Sequence, residues 1–321
     1  MAMTLDDDRL ELAEAEQRLF AAMGLEHRSE RLALTDAPVD HARVLEFGVG
    51  PPLLLVHGAG MSGAPWAPLL VHLSGYRCLA VDLPGCGLTD AFDHRGVVLR
   101  DHATSFLTGV LDALGLDAVP IVANSLGATY SLYLATAKPA RVSHLALLGA
   151  PGVALPGARG SVAMSLYSRP RLGRVLSAVS PPLTPSVARR LLAGVCGRPA
   201  VDELPDEMFE VVAATLRISE PTTRTLMPEL FSGRVPLSQH ALTEDELARV
   251  VTPTKFVWGS EDRFQHPEDG RRAAAVMPDA SVTEVPGGHH PWWDRPERCS
   301  ALIDGLISND HEADEPRVRP E

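Results

Sequence analysis

The strongest constraint in this chain is a set of short apolar runs that do not alternate. "PPLLLVHG" (51–58), "AVPIVA" (118–123), "HLALLGAPG" (144–152) and "TKFVWG" (254–259) are each of strand length and almost wholly apolar. A strand with one wet face would alternate polar and apolar residues. A continuous run needs both faces covered, which is the environment of a parallel sheet packed between helices. "RVLEFG" (43–48), "RCLAVD" (77–82) and "ASVTEVPGG" (280–288) extend the series. Helical patterns fall between the runs, near 66–74, 101–115, 126–137, 268–276 and 296–307. Strands alternating with helices give an α/β protein with a mostly parallel central sheet. Ligands of such sheets bind beyond the carboxyl ends of the strands.

One stretch breaks the alternation. Residues 153–250 contain no buried-strand run, are punctuated by proline, and show helical patterns near 161–178, 186–195, 206–218 and 222–232. They are expected to form a helical cap inserted between two sheet strands. The resulting division is an N-terminal helical extension (1–40, with a helix over 5–23), a first core segment (41–152), the cap (153–250), a second core segment (251–308) and a disordered tail (309–321). A chain of 321 residues buries a large core without disulfides, and its four cysteines show no metal-binding or paired spacing. The acidic start "MAMTLDDDRLELAEAE" is unlike a signal peptide, and no apolar run is long enough to span a membrane. A cytoplasmic protein, monomeric or homodimeric, is the expectation. The net charge of −12 and the small basic clusters argue against nucleic acid as a partner.

"VANSLGATY" (122–130) places Ser125 directly after a strand and before a helix. Such a turn is tight and projects a hydroxyl above the sheet edge. Small residues are needed two positions either side of the serine, where helix and strand approach. Gly127 supplies one, and Ala123 adds only a methyl at the other. The helix N-terminus favours an oxyanion beside the serine. "HGAG" (57–60) also follows a strand, and its glycines allow the backbone N–H of Ala59 to face Ser125. With the N–H of Leu126 it would form an oxyanion hole. His57 reads as a brace for this loop and Asp82, in "DLPGCG", as part of a structural turn. "VWGSEDRF" (257–264) and "VPGGHHPWWDRPE" (285–297) supply an acid and a base after two later strands. The order Ser, Asp, His matches a hydrolase template.

Together, "HGAG", "DLPGCGLTD", "ANSLG", "GSEDRF" and "GGHHPWWDRPE" resemble the α/β-hydrolase-fold serine hydrolases over residues 43–307. The family patterns G-x-x-D and G-H-x-P select Asp262 over Glu261 and His289 over His290. The resemblance implies a nucleophile Ser125, a base His289 and an orienting acid Asp262, with Asn124, Gly60 and Trp292 as pocket candidates. It implies no metal and no cofactor, because the serine and its partners already carry the proton transfers. The expected reaction is hydrolysis of a small to medium apolar ester or lactone, a small-molecule substrate. "NSLG", "WGSEDRF" and the Trp pair are also similar to C–C bond hydrolases of meta-ring-fission products, and the chain equally resembles lidded carboxylesterases and hydrolases of secondary-metabolite pathways. Arg189 or Arg190 is the cap's candidate for meeting a carboxylate. Acyl transfer or cyclisation by the same residues, and a non-catalytic ligand-binding protein, are the remaining alternatives.

Overall fold

The computed structural model describes residues 5–179 and 183–313. Helix α1 (Leu5–Ala22) precedes strands β1 (His27–Ala33), β2 (His41–Phe47) and β3 (Pro52–Val56). Then come α2 (Ala67–Leu70), β4 (Arg77–Val81), α3 (Leu99–Ala113), β5 (Val119–Ala123), α4 (Ser125–Ala137) and β6 (Val142–Leu148). An insertion follows: α5 (Val162–Tyr167), α6 (Pro170–Val179), α7 (Pro185–Cys196), α8 (Arg198–Asp202), α9 (Asp206–Leu230), a hairpin of β7 (Phe231–Ser232) and β8 (Val235–Pro236), and α10 (Glu244–Leu247). The chain closes with β9 (Thr254–Gly259), α11 (Pro267–Val276), β10 (Ala280–Val285), α12 (Pro291–Asp294) and α13 (Pro296–Ala313).

Eight strands form one sheet in the order β1-β2-β4-β3-β5-β6-β9-β10. The pairs from β4 to β10 are parallel, and β1 and β2 are antiparallel. The expected strands are all present, and their alternate residues serve opposite faces. Leu54 and Val56 of β3 belong to the core under α3 and α4, while Leu53 and Leu55 belong to the core under α1, α2 and α13. After β3 the chain runs to β4 on one side, and β5 lies on the other. This reversal opens a crevice above the carboxyl ends of β3 and β5, and the serine turn sits there.

The structure differs from the expected elements in three places, and two of the differences have a clear physical cause. The N-terminal extension is not all helix: β1, "HRSERLA", pairs with β2 along its whole length and is the eighth strand of the sheet. Its residues are mostly polar and exposed, as suits an edge strand, so it carries no apolar signal. The helices expected at 206–218 and 222–232 are one helix, α9, with Pro221 and Pro228 inside it. Seven residues apart, the two prolines share one face of the helix; Pro221 is exposed and Pro228 half-buried, so water can reach the carbonyls that lose a donor. Helix α13 also continues beyond 308 to Ala313, and the remainder of the expected tail lies outside the described residues.

Between α3 and the loop before it, His94 and His102 are buried with ring centroids 5.0 Å apart, beside Phe92 and Tyr130. Neither ring nitrogen of His102 has a hydrogen-bond partner among the described residues. Burial therefore pushes both imidazoles down, His94 to about 4 and His102 to about 3. Below the ordinary value of 6.5 the unfolded chain binds protons that the folded chain refuses. Stability from this pair is complete above pH 6.5 and is lost as the pH falls toward 4 and then 3. Thermal unfolding should thus show Tm falling between pH 7 and pH 5, and His102→Phe should make that fall shallower, the rest of it coming from other histidines that burial holds down, His57 and His290 among them. An unchanged slope in the variant would remove these histidines as the cause.

Candidate active site

Ser125 has φ 51°, a left-handed conformation that a non-glycine residue rarely adopts. The turn between β5 and α4 leaves only Asn124 between the end of the strand at Ala123 and the start of the helix at Ser125, too short for a gentler bend. The strain is held by close packing of α4 on β3. A Cβ at Gly127 would stand 2.3 Å from the Val56 carbonyl oxygen and 2.5 Å from that of His57. Only glycine fits there, as the sequence required. Ala123 is fully buried and pairs with Val56 and Leu147 in the sheet, so its methyl is accommodated as core.

His289 Nδ1 lies 2.8 Å from Asp262 Oδ2, and both side chains are buried. The same Asp262 oxygen accepts the Ala150 N–H at 2.9 Å, and the other accepts the Phe264 N–H at 2.9 Å. Burial opposes the charge on Asp262, yet His289 and the two backbone donors hold the carboxyl below its usual value. An anionic acceptor at Nδ1 leaves Nε2 as the basic nitrogen. The ring of Phe264 packs on His289 with centroids 4.4 Å apart. Ser125 and His289 line one cavity of about 30 Å³, together with Ala59, Leu126, Met164, Met227 and Phe264. Sequence positions 59, 125, 126 and 289 thus meet in one space, with Asp262 behind the imidazole.

The other candidates are placed differently. Asn124 turns away from this cavity and donates from Nδ2 to the carbonyls of Leu148 (2.6 Å) and His289 (3.1 Å). It ties the ends of β5 and β6 to the histidine loop, so it positions rather than lines. Trp292 also faces away: its indole stacks on Trp66 at 4.2 Å and donates to the Pro65 carbonyl. The same carbonyl accepts from Trp293. Gly60 sits in a left-handed turn with φ 72° near Leu216 and Ser219 of α9, not on the cavity wall. His290 is buried with Nδ1 3.1 Å from the Cys196 thiol. Glu261 is exposed. His57 has both nitrogens engaged, Nδ1 with the Gly58 carbonyl and Nε2 with the Leu83 N–H, as a loop brace would.

Arg189 is committed elsewhere, to Asp206 at 3.3 Å and over the Phe209 ring. The arginine in the cavity wall is Arg159, which no local pattern distinguishes from the other six arginines of the insertion's first half. Among the described residues no ion pair is seen at its guanidinium.

The alpha/beta hydrolase fold family model matches residues 51–296, which span the sheet from β3, the insertion and the histidine loop. The chain belongs to the α/β-hydrolase family. Its curated relatives include a 2-hydroxy-6-oxononadienedioate/2-hydroxy-6-oxononatrienedioate hydrolase of Pseudomonas putida, 28% identical over 270 residues, covering 78% of this chain and 85% of that protein. A 2-hydroxy-6-oxo-6-phenylhexa-2,4-dienoate hydrolase of Burkholderia cepacia is 24% identical over 273 residues, covering 82% and 90%. Among solved structures, naproxen esterase of Bacillus subtilis superposes with a TM-score of 0.70 at 18% identity, over 96% of this chain and 100% of that one. These likenesses match the fold read from the motifs.

A buried polar cluster holds the loop that follows β3 in this hydrolase. Arg43 of β2 makes a bidentate pair with Glu16 of α1 (2.6 and 2.9 Å) and donates Nε to Asp82 at 2.7 Å. Asp82 in turn accepts the N–H groups of Gly63 (2.7 Å) and Leu88 (2.9 Å). Burial alone would discharge Arg43, but Asp82 and Glu16 together hold its pKa above the usual arginine value. Removing the cation leaves two buried carboxylates facing each other. Arg43→Met should cost about 3–5 kcal/mol in urea unfolding. Glu16→Gln, which keeps a hydrogen-bonding side chain, should cost less, and equal stability of wild type and Arg43→Met would refute the bracing role.

Proposed function

We propose that this protein is a serine hydrolase that cleaves an apolar ester or lactone through an acyl-enzyme. The observation that carries the reading is the meeting of Ser125, held in a strained turn, with the Asp262-paired His289 at one cavity. Ser125 Oγ attacks the substrate carbonyl while His289 Nε2 takes its proton. The tetrahedral oxyanion is held by the N–H groups of Ala59 and Leu126, each worth on the order of 3 kcal/mol. His289 returns the proton to the leaving alkoxide, and water then repeats the sequence to release the acid. Asp262 fixes the imidazole tautomer and stabilises the imidazolium. The apolar lining, with Met164, Met227, Leu230 and Phe231 contributed by the insertion, suits an apolar acyl or alcohol group. Ligand cavities measure roughly 300–1,000 Å³, so a volume of about 30 Å³ requires the insertion to move or repack when substrate enters.

A second reading is C–C bond hydrolysis. The names of the curated relatives motivate it, and so does Arg159 in the cavity wall, a cation that could pair with a substrate carboxylate. The leaving group would then be a stabilised carbanion, protonated at carbon.

A fluorophosphonate probe should label wild type at Ser125 and leave Ser125→Ala unlabelled. The variant should keep its Tm and lose p-nitrophenyl ester turnover by on the order of 10⁴ or more. Full esterase activity in the variant would end the proposal. A panel of neutral esters and a carboxylated ring-fission product separates the two chemistries. On the ester reading Arg159→Met leaves KM for neutral esters unchanged. A preference for the ring-fission product, with KM raised about ten-fold or more in Arg159→Met, would favour C–C cleavage.

A further inference from the structure

The charge of the chain is unevenly placed. Between Asp117 and Asp202 there is no Asp or Glu, yet nine Lys and Arg residues lie there, in a chain of net charge −12. Part of this stretch forms the helical pair α5 and α6. Its inner side closes the serine cavity, through Met164 of α5. Gly173 of α6 lies against Tyr167, which turns other residues of α6 outward. Leu172 is 42% exposed and Val175 57%, three positions apart on one helix face. Val162 at the start of α5 is 64% exposed. Val235 of the β7–β8 hairpin, also 64% exposed, is held nearby by hydrogen bonds between Arg234 and Gly160. Arg171 and Arg174 are exposed beside the apolar face of α6.

We propose that the outer face of α5–α6 docks on an anionic lipid surface, and that docking draws α5 off the serine cavity so that substrate enters from the lipid. A short amphipathic surface with arginines beside aliphatic side chains is suited to lie in a bilayer interface, apolar groups inserted and cations at the headgroups. Each basic residue near an anionic leaflet adds to the attraction. The remainder of the chain is strongly acidic and is repelled by such a surface, so charge alone orients this face toward it. The aliphatic members of the patch have no use for a nucleic-acid backbone. Opening is needed in any case, because the cavity over the part-buried Ser125 measures only about 30 Å³. Docking stands independently of the hydrolytic reading; only the opening step rests on it.

The test is co-sedimentation of the full chain with phosphatidylglycerol-containing vesicles and with pure phosphatidylcholine vesicles, at low and at physiological salt. Wild type should bind the anionic vesicles about ten-fold better and weaken as salt rises. The double variants Leu172→Ser/Val175→Ser and Arg171→Gln/Arg174→Gln should each lose most of that binding at unchanged Tm, whereas Val251→Ser, at a separate exposed site, should not. No binding, equal binding to both vesicles, or loss of binding in Val251→Ser overturns the proposal. So does a concentration-dependent dimer, abolished by the same double variants, with no vesicle binding. In a second measurement, anionic vesicles should raise the turnover of a short water-soluble ester several-fold in wild type and not in the double variants. Vesicle binding with unchanged turnover overturns the opening step. Vesicle binding by wild type and Ser125→Ala alike, with no ester turnover by either, would refute the hydrolytic reading and leave docking intact.

Discussion

The close approach of α4 to β3 is the contact on which the rest of the structure depends. Gly127 lets the helix press against the Val56 and His57 carbonyls, and that pressure holds Ser125 at a φ that its side chain would not choose. The position of the turn follows from the sheet. β3 and β5 are neighbours whose connections leave in opposite directions, so no crossover covers the crevice above them. The loop after β3 and the helix after β5 both open into that crevice. A wider helix–strand spacing would relax the turn and lower the hydroxyl into the sheet edge.

Around this turn, buried polar groups connect elements that are distant in sequence. Asp262 gathers His289 and the backbone of residues 150 and 264. Asn124 joins β6 to the histidine loop. Asp82 and Arg43 join α1 and β2 to the loop after β3. Each would be costly if left unpaired, so each fixes a relative position as well as adding stability. Helix α1 takes part twice: Glu16 reaches the core, and Asp8 and Glu11 pair with Arg217 of α9. The N-terminal helix therefore ties the insertion to the sheet. The insertion in turn covers the serine cavity in part with flexible and apolar side chains, including two methionines that can repack at low cost.

Much of this could be read from the chain before folding. Non-alternating apolar runs mark the strands, because a strand covered on both faces has no polar side to show. The serine turn and the glycines after β3 are local features, written in contiguous residues. The acid after β9 and the histidine after β10 stand 27 residues apart; the family patterns singled them out, and neighbouring parallel strands bring their two loops to one rim. β1 was hidden because an edge strand is written in polar, exposed residues, and α9 because proline normally ends a helix.

What the sequence by itself determined is the α/β alternation, the inserted helical segment and the identity of the small residues that the serine turn demands, all of which depend on neighbours a few positions apart. Tertiary structure alone decided which side of each strand end a side chain faces. It sent Asn124 and Trp292 into the supporting framework and Arg159, not Arg189, to the cavity wall. It also decided how small the closed cavity is. Those outcomes depend on how helices distant in sequence pack over the sheet, and side-chain direction in such packing is not encoded in any local pattern.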